Sequence, residues 1–88
     1  MHYIYILKSK IRKSKYYLGV TGDIEKRLHK HNSGGNKSTR AFKPWELLYK
    51  EEFSEKRSAY KREYFLKSPA GYLTKKGIID TLDKGGFA

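Results

Sequence analysis

Tyr5 and Tyr17 stand in two short runs, HYIYILK and KYYLGV, that are rich in rings and β-branched side chains. If the runs pair as a hairpin with Tyr5 opposite Tyr17, or at any even offset from that pairing, both phenols project from one face. Two phenols over one surface can hold a phosphate and a water by hydrogen bonds. They can equally be sheet packing, because tyrosine is a good strand former. Arg27 and His31 lie one helical turn apart in DIEKRLHKH, so they meet side by side. An arginine grips two phosphate oxygens and offsets charge that grows in a pentacoordinate transition state, and a neutral imidazole accepts a proton near pH 7. The bland alternative is a salt-bridged arginine and a histidine on a helix rim.

Glu63 is the sharpest single residue. On a wheel of about 100° per residue it falls about 40° from Ala59, next to Leu66, on the side of a helix that should pack against a sheet. An unpaired carboxylate there is costly, and the usual resolutions are an Arg or Lys partner, protonation or a divalent cation. Mg²⁺ is commonly held by one or two carboxylates, several waters and the substrate's own phosphate. The competing reading is an ion pair of Glu63 with Arg27 or Lys67.

The elements that position these groups follow from local patterning. His2 to Lys8 is apolar on both alternating faces, which predicts a central strand. Lys15 to Val20 reads as its hairpin partner across the polar connection SKIRKS, and Tyr17 and Gly19 share a face. Thr21, Gly22 and Asp23 supply helix-start chemistry, and Ile24 and Leu28 give the following helix an apolar stripe with Arg27 and His31 on its edge. That helix ends near Asn32, Ser33, Gly34 and Gly35. Glu46 to Phe53 reads as a third strand, and Ser54 as the cap of a helix over Glu55 to Leu66. Pro69 forces a break, and Gly71 to Leu82 reads as a weaker helix interrupted by Gly77. Residues 1–82 form one domain on this reading, with 83–88 a frayed tail.

The chain has 88 residues and a net charge of +11, with 20 Lys plus Arg against 9 Asp plus Glu. This length allows one small core and no second module. Aromatic residues make up 15%, too many for a disordered basic tail. The absence of cysteine excludes disulfides and a thiolate zinc site, and makes the cytoplasm the expected compartment. No apolar run approaches a membrane span.

The excess charge asks for a polyanion, and nucleic acid is the leading candidate. The loop residues Lys37, Arg40 and Lys43, the hairpin residues Lys8 and Lys15 with Lys10, Arg12 and Lys13 between them, and the later Lys75 and Lys76 can line a groove for a phosphate backbone. Asn32 and Lys67 complete this candidate contact set. Such contacts position a duplex without reading its sequence.

Tyr3, Ile4, Tyr5 followed by Tyr17, Leu18, Gly19, then Arg27 and His31, Asn32 before SGG, Pro44-Trp45, and Glu63 in AYKREYFLK form an ordered set. The set resembles the GIY-YIG nuclease superfamily over about residues 1 to 80, and most resembles small stand-alone bacterial members related to the nuclease domain of the UvrC repair endonuclease. Tyr3 stands where the first motif opens with glycine and Leu18 where the second has isoleucine; neither change removes a catalytic group.

The resemblance implies an α+β fold, a small three-stranded antiparallel sheet flanked by three helices, with a single divalent-metal site. It implies catalytic roles for Tyr5, Tyr17, Arg27, His31 and Glu63, with Glu63 binding Mg²⁺ or Mn²⁺. The implied activity is metal-dependent endonucleolytic hydrolysis of DNA phosphodiesters, in repair or in processing of branched or damaged DNA. The substrate is double-stranded or branched DNA bound with little sequence specificity. The alternative is a DNA- or RNA-binding module of the same fold whose cleavage is vestigial. The residues alone leave base duty open among Tyr5, Tyr17 and His31; family analogy favours Tyr17, with Tyr5 orienting water or phosphate.

Overall fold

The computed structural model describes residues 1–83. Strand β1 (His2–Ser9) is central in a three-stranded antiparallel sheet, with β2 (Tyr16–Thr21) on one side and β3 (Trp45–Phe53) on the other. Its alternation explains that position, because both of its faces are buried. Ile4 and Ile6 pack with Leu18, Ala59 and Leu66 on one face, and Tyr5 and Leu7 pack with Trp45 on the other.

Helix α1 (Ile24–Asn32) covers the Tyr5 face with Ile24 and Leu28. Helices α2 (Lys56–Lys67) and α3 (Tyr72–Leu82) cover the Ile4 face through Ala59, Phe65, Leu66, Ile78 and Ile79. The α+β fold implied by the resemblance, a three-stranded antiparallel sheet flanked by three helices, is therefore the observed architecture. Among the described residues no helix is long and apolar enough to cross a membrane.

Local chemistry sets the boundaries. Asp23 caps α1, its carboxylate accepting from the Lys26 amide at 3.0 Å, while Thr21 Oγ1 accepts from the Asp23 amide at 3.1 Å. Gly34, at φ +83°, takes the left-handed conformation just beyond the Ser33 cap.

Three expectations need correction. Helix α2 is capped by Glu55 rather than Ser54, and no side-chain hydrogen bond serves that cap. Ser68 does the capping instead one element later, where its hydroxyl accepts from the Gly71 amide at 3.3 Å in the 3-10 turn Pro69–Gly71. Gly77 does not interrupt α3, which runs through it without a break. A glycine inside a helix costs about 1 kcal/mol, too little to break one that packs Ile78 and Ile79 into the core.

Asp83, read as the first residue of a frayed tail, is only 3% exposed. Its carboxylate accepts from Lys8 Nζ at 2.6 Å and from the Tyr16 hydroxyl, which pins the end of α3 to β1 and β2. Burial and the Asp83 bond push the Tyr16 phenol up to about 12. The rest of that segment, 84–88, lies outside the described residues.

Candidate active site on the tyrosine face

The hairpin register decides whether the two phenols meet. Tyr5 pairs with Gly19 and Leu7 with Tyr17, an even offset, so both rings lie on the α1 side of the sheet with centroids 6.2 Å apart. Gly19 makes this possible. A Cβ there would stand 2.7 Å from the Tyr5 hydroxyl and 3.1 Å from the Tyr17 ring, so the missing side chain is the space in which the Tyr5 phenol lies.

From α1, His31 closes the group, with its ring 4.8 Å from Tyr17 and 6.1 Å from Tyr5. The Tyr5 hydroxyl meets His31 Nε2 at 3.1 Å, and His31 Nδ1 meets Thr39 Oγ1 at 2.7 Å. Helix α2 carries Glu63, whose charge acts on the Tyr5 phenol. Arg62 forks onto Glu51 of β3 at 2.8 and 3.0 Å, fixing the helix's rotation, and the next residue, about 100° round, is Glu63.

Exposure divides the five residues into two layers. Tyr5 is 1% exposed and His31 fully buried, whereas Tyr17 and Arg27 are half-buried and the Glu63 side chain is 21% exposed. The full burial of His31 sets aside the bland alternative of a histidine on a helix rim. The wheel angle was right, but the segment 36–42 folds over that edge: Thr39 N bonds the Asn36 carbonyl at 3.2 Å and the Trp45 indole bonds the Thr39 carbonyl at 3.0 Å. Tyr5 and Tyr17 are likewise not equivalent, since only Tyr17 opens to solvent.

Electrostatics follow the layering. Burial, then the neighbouring Tyr17, pushes the Tyr5 phenol well above the ordinary tyrosine value. The Arg27 guanidinium beside it pulls the other way through its charge and a hydrogen bond, and Glu63 adds to the rise. Arg27 and Glu63 thus both act on Tyr5. Tyr5 is a protonated phenol near neutrality.

Burial first, and then the charges of Arg27 and Lys30, hold His31 below the ordinary histidine value. It is faced by Tyr5 from β1, Tyr17 from β2, Arg27 and Lys30 from α1, and Thr39 from the covering loop. Because the folded state disfavours the imidazolium, the stability His31 contributes is fully present above its unfolded value near 6.5 and is lost as pH falls through the lower folded value. Each tenfold loss of proton affinity corresponds to about 1.4 kcal/mol. Urea unfolding at about pH 7.5 and about pH 5 should show a lower midpoint at acid pH, and His31→Asn should shrink that difference. An equal difference in both proteins would remove His31 as its source.

The candidate backbone contacts separate in the same way. Lys37, Arg40 and Lys43 are exposed on the loop over His31, and an open cavity of about 450 Å³ runs past Lys26, Arg27 and Lys30 on the neighbouring side of α1. Lys15 stacks its ammonium 4.4 Å over the Phe42 ring. Lys75 is half-buried, Lys76 is paired with Asp80 at 2.7 Å and Lys67 with Glu63 at 3.0 Å. Lys8 is tied to Asp83.

Asn32 is committed inside the fold. Its Nδ2 donates to the Trp45 carbonyl at 2.9 Å and its Oδ1 accepts from the Trp45 amide at 2.5 Å, which latches α1 to the start of β3. Sequence reasoning missed Thr39, because a threonine in a polar basic loop carries no periodic signal.

Among the described residues no group of three or more His, Cys, Asp or Glu gathers into a metal cage. The Glu63 carboxylate, partly exposed and paired with Lys67 at 3.0 Å, is a single oxygen donor group of the kind that could hold only a hard, water-rich divalent ion completed by substrate oxygens.

Several known proteins are similar to this chain. A UPF0213 protein of Staphylococcus saprophyticus is 48% identical over 68 residues, covering 76% of this chain and 80% of that one. The UPF0213 protein YazA of Bacillus subtilis is 42% identical over 67 residues, covering 75% of this chain and 66% of that one. The solution NMR structure of a UPF0213 protein from Bacillus halodurans aligns with a TM-score of 0.50 at 36% identity, covering 98% of this chain and 88% of that one. Residues 1–75 match the GIY-YIG catalytic domain, so this chain belongs to the GIY-YIG family.

Proposed function

We propose that the domain grips the sugar-phosphate backbone of DNA across its tyrosine face and hydrolyses a phosphodiester there with the help of a divalent cation. The observation that carries the reading is the convergence of Tyr5, Tyr17 and His31 within 6.2 Å, with Arg27 and Glu63 both acting on the Tyr5 phenol. Arg27 is the group that grips nonbridging oxygens and offsets the charge that grows on them. Tyr17, the solvent-facing phenol, holds the attacking water in line. Tyr5, kept protonated, and His31, whose Nε2 is occupied by Tyr5, stand behind it, which favours Tyr17 for handling the water's proton. Glu63 is the residue that would hold Mg²⁺ or Mn²⁺, and the chemistry such an ion would supply there is Lewis-acid polarisation of the phosphoryl group. The resemblance to the UvrC nuclease domain turns this reading toward damaged or branched DNA in the cytoplasm.

A second reading, in which the fold binds DNA or RNA and no longer cuts it, is favoured by the Lys67 ammonium 3.0 Å from Glu63 Oε2 and by the lack of a three-ligand cluster among the described residues. One experiment separates them. Supercoiled, branched and flapped DNA is incubated with the protein in Mg²⁺ or Mn²⁺ and in EDTA, and binding is titrated at several salt concentrations. Metal-dependent cleavage supports the hydrolase. Binding without cleavage under every condition supports the binding module. In either case the charge of +11 predicts weak, sequence-tolerant affinity that falls steeply with salt, with a log–log slope of several phosphates. A salt-independent affinity would overturn both readings.

A further inference from the structure

The buried hydrogen bonds behind Tyr17 run in one direction, and that direction follows from which groups can donate. The Tyr5 hydroxyl lies in an almost fully buried side chain, with His31 Nε2 at 3.1 Å and the Arg27 guanidinium acting on it. A guanidinium has donors and no acceptor, so it can only donate to the phenol oxygen. The Tyr5 proton therefore needs His31 Nε2 as its acceptor, and a neutral imidazole that accepts at Nε2 carries its proton on Nδ1. That Nδ1–H donates to Thr39 Oγ1 at 2.7 Å, and the Thr39 hydroxyl in turn donates to the Asn36 carbonyl at 3.4 Å.

The reverse order fails on counting. Were Thr39 to donate to Nδ1, His31 Nε2–H and Arg27 would both donate to the Tyr5 oxygen. The buried Tyr5 proton would then lack a partner, at a cost of about 1–3 kcal/mol.

We propose that Thr39 is a positioning residue: by accepting from His31 Nδ1 it sets the imidazole tautomer, and through Tyr5 it presents an oxygen that holds the Arg27 guanidinium in place for phosphate. The chain runs from Arg27 through Tyr5, His31 and Thr39 to the Asn36 carbonyl. It makes His31 and Tyr5 supports for Arg27 rather than bases. It also ties the arginine to the loop carrying Lys37, Arg40 and Lys43, so that one segment both meets the backbone and orients the group that grips it. This role rests on the reading of Arg27 as the phosphate grip, whereas the tautomer does not.

The test begins with the unliganded 88-residue chain, labelled with ¹⁵N at histidine, by long-range ¹H–¹⁵N correlation of the His31 ring at neutral pH. The expected result is a proton on Nδ1; a proton on Nε2 overturns the proposal whether or not the protein cuts DNA. In Thr39→Val, which keeps the shape and removes the acceptor, the two tautomers should mix, and Thr39→Ser should restore the Nδ1–H form. An unchanged tautomer in Thr39→Val also overturns it. With cleavable DNA under single-turnover conditions, Thr39→Val should slow cleavage by about tenfold to a hundredfold, the scale of a small misplacement in a reacting group. Duplex affinity should stay within about twofold, and Thr39→Ser should recover the rate. A fall in affinity that matches the fall in rate would mark a merely structural residue.

Discussion

Glu63→Gln is expected to lower metal-dependent DNA cleavage by on the order of 10²–10³-fold, the usual cost of losing one strong electrostatic contribution to a transition state. The metal-free fold should change in stability by less than about 1 kcal/mol. The Glu63–Lys67 pair spans one helical turn with its side chains 21% and 49% exposed, and exposed i, i+4 pairs contribute only about 0.3–0.5 kcal/mol. A structural ion pair sealed in the core would behave differently, since removing its acid strands a buried cation at a cost of about 3–5 kcal/mol. The glutamine keeps the side chain's size, and the Lys and Arg surface that meets DNA remains, so binding should persist or tighten slightly. Urea unfolding in EDTA, paired with binding and cleavage in Mg²⁺, checks all three quantities. A variant that is markedly unstable yet still cuts would make Glu63 a scaffold residue.

Gly71→Ala should be the most damaging single methyl among the described glycines. A Cβ at this position would lie 1.9 Å from the Phe65 carbonyl oxygen, 2.6 Å from its carbon and 3.0 Å from Leu66 Cα. These are backbone atoms of the last turn of α2, which cannot swing aside as a side chain can. Relief requires separating α3 from α2, and with it Ile78 and Ile79 from Leu66. Overpacking a core costs about 1–3 kcal/mol when side chains can adjust, so a loss of about 3 kcal/mol or more is expected here. The midpoint of urea unfolding reads it directly. A loss below about 1 kcal/mol would show that the junction between the two helices yields, and the account of Gly71 would fail. Gly77 is the internal control, because a Cβ there meets nothing within 4 Å and Gly77→Ala should be neutral or stabilising.

The two helical glycines show what kind of information each level holds. In the sequence Gly71 reads as the start of the last helix and Gly77 as an interruption within it. Their difference is whether another segment's backbone passes close by, and no local pattern encodes that. Strand alternation, by contrast, is local: HYIYILK has two apolar faces whichever partner covers them, so a central β1 is legible from residue types alone, whereas the even offset that brings the two phenols together is set by the hairpin register. The Asp23 cap, the turn at Gly34 and the arithmetic of charge that asks for a polyanion are legible from residue types too.

What only the tertiary structure decided is which candidates face solvent and which partner each holds. A helical wheel puts His31 beside the buried stripe, yet the loop closing over it through Thr39 and the Trp45 indole is what buries it fully. The same closure leaves Tyr17 in front and Tyr5 behind and commits the Asn32 amide to the Trp45 backbone, while at another place in the fold the end of α3 withdraws Lys8 to Asp83 across 75 residues of chain. Sequence periodicity reports the direction in which a side chain leaves its own backbone. Hydrogen-bond partners and burial depend on a second segment distant in the chain, whose arrival is governed by the packing of the whole core.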